Sequence, residues 1–281
     1  MTIQTLSDVA LAYDEGRHWT GLLRKAGPAS VLGNWQDFMY AAGIPGANYY
    51  GAAPKAATLL ASLDGIMSGP DVEAAGYKKY LHKALLVPPS TSVGLITAQI
   101  YDLVMFYANI DGDGGLQEMS NAVTNRYGGQ GCTIMMVSQG IGLASTNTTT
   151  IVYVDQNNTT QTVTLRTRHD LPAGTLLAAV DGSDPGALGY AGPYVNCPTG
   201  CKTITSIDFD VAVGGIFALV IVKPLGTIST QEVTIPIEVD FFRDQHRAIE
   251  IDDGSFIGMI YRGTVSATPT NTMAELSFIW S

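Results

Sequence analysis

Side chains able to do acid–base, nucleophilic or metal chemistry are few in this chain, and their spacing seldom favours cooperation. Four histidines, His18, His82, His169 and His246, lie far apart, and none stands at ligand spacing from another His or Cys. Arg168-His169-Asp170 concentrates charge at the end of a strand-like run and reads as a solvated turn. The stretch Asn109-x-Asp111-x-Asp113-Gly114 opens like an EF-hand loop, with oxygens at positions one, three and five and glycine at six. Position twelve needs a bidentate Glu and is Ser120, while Glu118 comes two residues early. A polar turn is the expectation, with Asn109, Asp111 and Asp113 as calcium candidates and no other metal site. Cys197 and Cys201 could close a small disulfide loop or supply two thiolates, but no second pair completes a zinc site. Free thiols in a turn are expected there, and Cys132, at the start of an apolar run, reads as a small buried hydrophobe. The chain has no nucleophile elbow, phosphate loop, dinucleotide fingerprint or zinc-protease helix motif. No catalytic residue and no cofactor are expected.

The composition points away from several classes. The chain has 281 residues, enough to bury a full core as one domain or two. Its formal charge of −10 disfavours general nucleic-acid binding, which needs clustered Lys and Arg to neutralise phosphates. Only 14% of residues are charged, so polar material to cover an independent surface is scarce, and shared apolar surface is expected. No apolar run is long enough for a membrane-spanning helix, and the first residues lack the pattern of a secretory signal.

The elements that must position these residues divide by composition. Residues 1–130 read as short helices and irregular chain. One helix is expected from Thr5 to Tyr13, capped by Thr5 or Ser7. Helical spacing continues through Trp19, Leu22 and Leu23, and further helices are expected over Ala57–Met67 and from Tyr77 to Leu86. The run Leu95–Tyr107 is too apolar for a surface segment, so at least one of its faces must be buried. From residue 131 to 281 Thr, Val and Ile dominate. The runs Thr149–Val154 and Thr160–Arg168 form a hairpin, and later strands are expected over Thr203–Ala212, Gly214–Val222, Val233–Val239, Phe256–Arg262 and Ala274–Trp280. Val163, Leu165, Ile216 and Leu219 are expected inside. The fold class is α+β, mainly β, with a C-terminal antiparallel β-sandwich or jelly roll.

Several motifs carry a resemblance. Trp35-x-Asp37, Gly43-Ile44-Pro45 with Asn48-Tyr49-Tyr50-Gly51, Phe106-Tyr107-x-x-Ile110-Asp111, and Arg126-Tyr127 leading to Met135-Met136-Val137 resemble structural proteins of tailed bacteriophages. The similarity spans residues 14 to 140 and fades over the strand-rich half. It implies a virion component assembled in a bacterial cytoplasm, with other virion proteins as partners, the major capsid protein first. Head decoration or cement is one placement; tail, neck or fibre is the alternative. A homo-oligomer is expected, with a trimer as first expectation. Outside that class, a carbohydrate-binding sandwich could use Trp280, Tyr153 and Tyr190 as stacking faces. Trp35, Tyr40, Tyr49 and Tyr50, set in Gly- and Pro-punctuated chain, are the expected interface residues, the alternative being that they fill the protein's own core.

Overall fold

The computed structural model describes residues 3–26, 34–87, 95–143, 146–177, 192–230, 232, 235–245, 248–263 and 271–281. Helix α1 (Leu6–Asp14) begins as expected, with Thr5 and Asp8 forming a capping box, and it buries Val9 and Ala12. The strands that follow are β1 (His18–Ala26), β2 (Trp35–Asp37), β3 (Gly43–Ile44), β4 (Ala57–Thr58), β5 (Lys79–Val87) and β6 (Ile96–Asp111). After them come β7 (Gln117–Glu118), β8 (Thr133–Gly140), β9 (Thr146–Val154), β10 (Thr160–Arg168), β11 (Thr203–Phe209) and β12 (Ile216–Ser229). Last are β13 (Ile237–Asp240), the short helix α2 (Phe241–Gln245), β14 (Ile249–Ile251), β15 (Phe256–Gly263) and β16 (Asn271–Trp280).

These strands form three antiparallel sheets in a sandwich-like stack, so the chain is mainly β as its composition implied. The middle sheet runs β2-β15-β6-β12-β8, with β4 also on β6. One outer sheet runs β13-β5-β16-β1-β3, with β14 on β5; the other runs β10-β9-β11-β7. The middle sheet is apolar on both faces. Ile100, Leu103 and Phe106 of β6 pack with Leu81, Leu276 and Phe278 of the first outer sheet. Val104, Met105 and Tyr107 pack with Ile151, Leu165 and Ile207 of the second. This explains the density of the Leu95–Tyr107 run: a strand between two layers has no polar face. Helix α1 covers the far side of the first outer sheet, over Tyr80 and Ile279.

Three expected helices are strands or short turns instead. Trp19, Leu22 and Leu23 lie in β1, paired along its length with β16. Of Tyr77–Leu86, the residues from Lys79 onward lie in β5, which pairs with β16, β13 and β14. Ala57–Met67 holds only β4 and a 3-10 turn at Ser62–Asp64. Tertiary pairing outweighs the helix propensity of Lys, Ala and Leu here, because β5 buries Leu81, Ala84 and Leu86 only as a strand. The expected division at residue 130 also fails as a boundary between sheets. Strands β1, β5 and β6 from the first part are interleaved with β12, β15 and β16 from the second.

The β9–β10 hairpin forms as expected, its turn held by Asp155 Oδ1 accepting from Asn157 N at 2.8 Å and Thr159 N at 2.9 Å. Leu165 and Leu219 are buried and Val163 is half-buried, whereas Ile216 is exposed. Of the strand expected over Val233–Val239, β13 holds Ile237–Val239; residues 233–234 lie outside the described residues.

Candidate functional site

The motif residues of the first half turn inward. Strand β2 places Asp37 in the core, where its carboxylate accepts from the Tyr50 hydroxyl, from the Tyr101 hydroxyl at 3.1 Å and from Met39 N at 2.9 Å. Burial pushes the Asp37 carboxyl upward, and these donors together with Lys25 oppose that rise. Lys25 Nζ donates to the carbonyls of Ala41 at 2.8 Å and Gly46 at 3.0 Å. A second network surrounds Asp102 on β6. Arg126 binds it through two nitrogens, Tyr127 donates at 2.6 Å, and Ser255 donates at 2.7 Å. Lys223 Nζ sits 3.7 Å from the centre of the Tyr127 ring. Both carboxylates are satisfied from within the chain, which is the condition under which buried charge is tolerated.

The expected interface residues therefore separate. Trp35 and Tyr50 are buried in the monomer's own core, Tyr50 against Phe106 at a ring separation of 5.4 Å. A side chain already enclosed this way cannot grip a neighbour, so both are corrected to core residues. Tyr40 is half-buried and reaches the Gln139 carbonyl at 3.4 Å. Tyr49 alone is exposed, packing edge-on against Tyr40 at 5.0 Å.

The calcium candidates do not converge. Asn109 turns its amide to the Ala52 carbonyl at 2.9 Å. Asp111 Oδ1 accepts from Asp113 N at 2.9 Å, and Asp113 Oδ1 accepts from Gly214 N at 2.8 Å. Among the described residues, no group of three or more His, Cys, Asp or Glu is placed to hold a metal. His169 is not in a solvated turn. It is fully buried, with Nε2 2.7 Å from the Thr167 hydroxyl and its ring against Phe209 and Phe217.

What the carboxylates of the Asn109–Asp113 stretch do is lock a tip. At one end of the middle sheet three loops meet, after β6, after β8 and before β12. Gly112 N donates to Gly215 O at 3.1 Å, Val213 N to Gly112 O at 2.9 Å, and Leu143 N to Val213 O at 2.6 Å. Gln117 closes the first loop, donating to Asp111 O at 2.6 Å and accepting from Asp111 N at 3.1 Å. The approach is so close that a Cβ on Gly112 would stand 2.1 Å from Gly214 O, and Gly214 and Gly215 both have left-handed backbone. These stapled loops hold five large apolar side chains in solvent: Leu116, Ile141, Leu143, Val211 and Ile216. The sequence reading missed them. Their signal was local, a large apolar residue between glycines, as in Gly140-Ile141-Gly142-Leu143, where chain geometry offers no core to enter.

A second exposed feature is a groove of about 670 Å³ beside the first outer sheet. Trp19 of β1 and Trp280 of β16 line it with His18, Leu63, Met67 and Asp71. The chain at Ile66–Met67 crosses directly over Gly21, where a Cβ would meet Met67 O at 2.3 Å. Tyr153 is buried and offers no stacking face, and Tyr190 lies outside the described residues.

No family model matches the chain, and no curated protein matches it. Among solved structures it is similar to the VP2 subviral particle of infectious bursal disease virus, at 10% identity and a TM-score of 0.19, over 93% of this chain and 80% of that one. So slight a likeness carries no argument about function.

Proposed function

We propose that this chain is a non-enzymatic structural component of a tailed-bacteriophage virion, acting in the head as a decoration or cement protein. The observation that carries the reading is the tip: five large apolar side chains held in solvent by loops that hydrogen bonds make rigid. Rigid loops lose little conformational freedom on docking, so the apolar burial is retained as binding energy. The sparse charge of the chain supports the same reading, as does the resemblance of its motifs to phage structural proteins. The partner would be the major capsid protein, and a tail or neck neighbour is the alternative.

The test is a paired substitution, Ile141→Glu with Leu116→Glu, assayed for binding to purified shells and for melting of the free protein. Lost shell binding with melting unchanged supports the reading. Binding that survives both charges would remove the tip as the contact.

A second reading rests on the groove. Two indoles with a His and an Asp nearby match what a neutral sugar needs, aromatic faces for its C–H groups and polar atoms for its hydroxyls. A glycan array read with wild type and Trp19→Ala separates this reading from the first.

A further inference from the structure

The segment leading into β11 carries a pair of thiols that the assembly reading does not use. Cys197 to Cys201 is folded as a tight turn, with Gly200 N donating to the Cys197 carbonyl at 2.9 Å. Gly200 has a left-handed φ of 73°, and a Cβ there would lie 2.1 Å from Gly129 O, so the turn is locked against its neighbour. The turn leaves three residues between the two cysteines; the Cys201 thiol donates to the Thr203 carbonyl at 3.9 Å and lies near enough to Cys197 for each thiol to shift the other's titration. Cys201 is fully buried, whereas Cys197 is half-buried and lines an open cavity of about 440 Å³ with Tyr194, Pro198 and Pro224.

The two thiols are chemically unequal. Hydrogen bonding with Cys201 first, and with Thr133, Tyr153 and the Ile134 N–H, outweighs burial and holds the Cys197 thiol below its ordinary range, while the interaction with Cys197 and burial drive the Cys201 thiol up. Cys132 lines the same cavity but differs from Cys197. Burial pushes its thiol up to about 11, and its sulfur is 3.7 Å from the Gln130 carbonyl and 3.8 Å from the Asn125 amide. An accessible sulfur with thiolate-stabilising donors, beside a buried second sulfur, is the arrangement of an attacking and a resolving cysteine.

We propose that Cys197 and Cys201 form a peroxide-responsive oxidation site that closes to a disulfide within the loop. The Cys197 thiolate attacks one oxygen of hydrogen peroxide, the O–O bond breaks, and hydroxide leaves to give a sulfenic acid. The Cys201 sulfur then attacks the Cys197 sulfur. The S–OH bond breaks, the Cys201 proton passes to the departing hydroxide, and water leaves. Two thiols lose two electrons in all, and the peroxide takes them. The bridge would tie off the turn just after Val195, whose N–H donates to Ile134 O of β8 at 2.8 Å, and so pin the entry to β11 against the middle sheet. Reducing surroundings keep the pair open, and oxidising ones close it.

The experiment uses the full chain, purified under reductant, freed of it and treated with hydrogen peroxide. Thiols are then counted after denaturation, and disulfides are mapped by peptide mass. The expected result is loss of two of the three thiols and a Cys197–Cys201 peptide lighter by two hydrogens, restored by dithiothreitol. In Cys201→Ser the bridge is absent and a dimedone adduct collects on Cys197; in Cys132→Ser bridging is unchanged. The wild-type map needs no variant to fold. A bridge that includes Cys132, or oxidation of all three thiols at the same rate, overturns the proposal, and so does a Cys197–Cys201 pair still reduced when Cys132 is oxidised.

Discussion

Asp37 and Asp102 are carboxylates that the fold takes fully out of water, and each survives because donors from other parts of the chain meet it. For Asp102 the chief partner is Arg126. Arg126→Met would leave a buried charge unpaired and is expected to cost about 3–5 kcal/mol, read from denaturant midpoints, with no effect specific to shell binding. His169 behaves in the opposite sense, being buried neutral, and burial holds it at about 4 against an ordinary 6.5. The unfolded chain therefore binds a proton first as pH falls. Stability from this residue is whole above 6.5, declines between 6.5 and about 4, and levels off below. The loss across that window is on the order of 3 kcal/mol. Melting temperature against pH should fall less steeply in His169→Gln than in wild type, and parallel curves would refute the assignment. Only its two flanking charges were visible beforehand; the Phe209 and Phe217 rings that enclose it come from residues forty or more positions away.

At the scale of elements, the number of buried faces decides how readable a strand is. Strand β10 has one, so Leu165 faces in while Thr164 faces water, and its alternation announced both the strand and the face it buries. Leu165→Ala is expected to cost about 2–5 kcal/mol and Thr164→Ala almost nothing, measured as melting temperature or denaturant midpoint. Strand β6 has two buried faces and therefore no alternation, only apolar density. Strand β5 was harder still. Its Leu, Ala and Lys residues prefer helix, and nothing local says that β16 runs beside it in antiparallel register.

At the scale of the molecule, the tip and the groove place exposed apolar side chains at two separate sites. With a charged fraction of only 14%, we propose that apolar surface other than the tip is shared among copies, with a trimer as the state and the tip left for the shell. Sedimentation velocity at micromolar concentration checks this, and a monomer at every concentration tested would overturn the trimer. Tyr50→Phe separates core from interface: it removes the hydroxyl given to Asp37 and should lower the melting temperature, while shell binding by the folded fraction is kept.

Composition and local pattern were enough to settle that this chain is mainly β, that its second half is a series of strands, and that a hairpin turns at Asp155. Each of those depends on residues within a few positions of one another, where side-chain period and turn chemistry act directly. Which strands share a sheet, and hence that β1 and β5 are strands at all, was decided by pairing between residues as far apart as His18 and Ile279. The same holds for function-bearing surface. Trp35 and Tyr50 had the residue types of an interface and were taken into the core by Asp37, Phe106 and the middle sheet, while Ile216 had the look of a core residue and was left in solvent at the tip. Exposure is a property of what packs on a residue, and only the assembled sheets determine that.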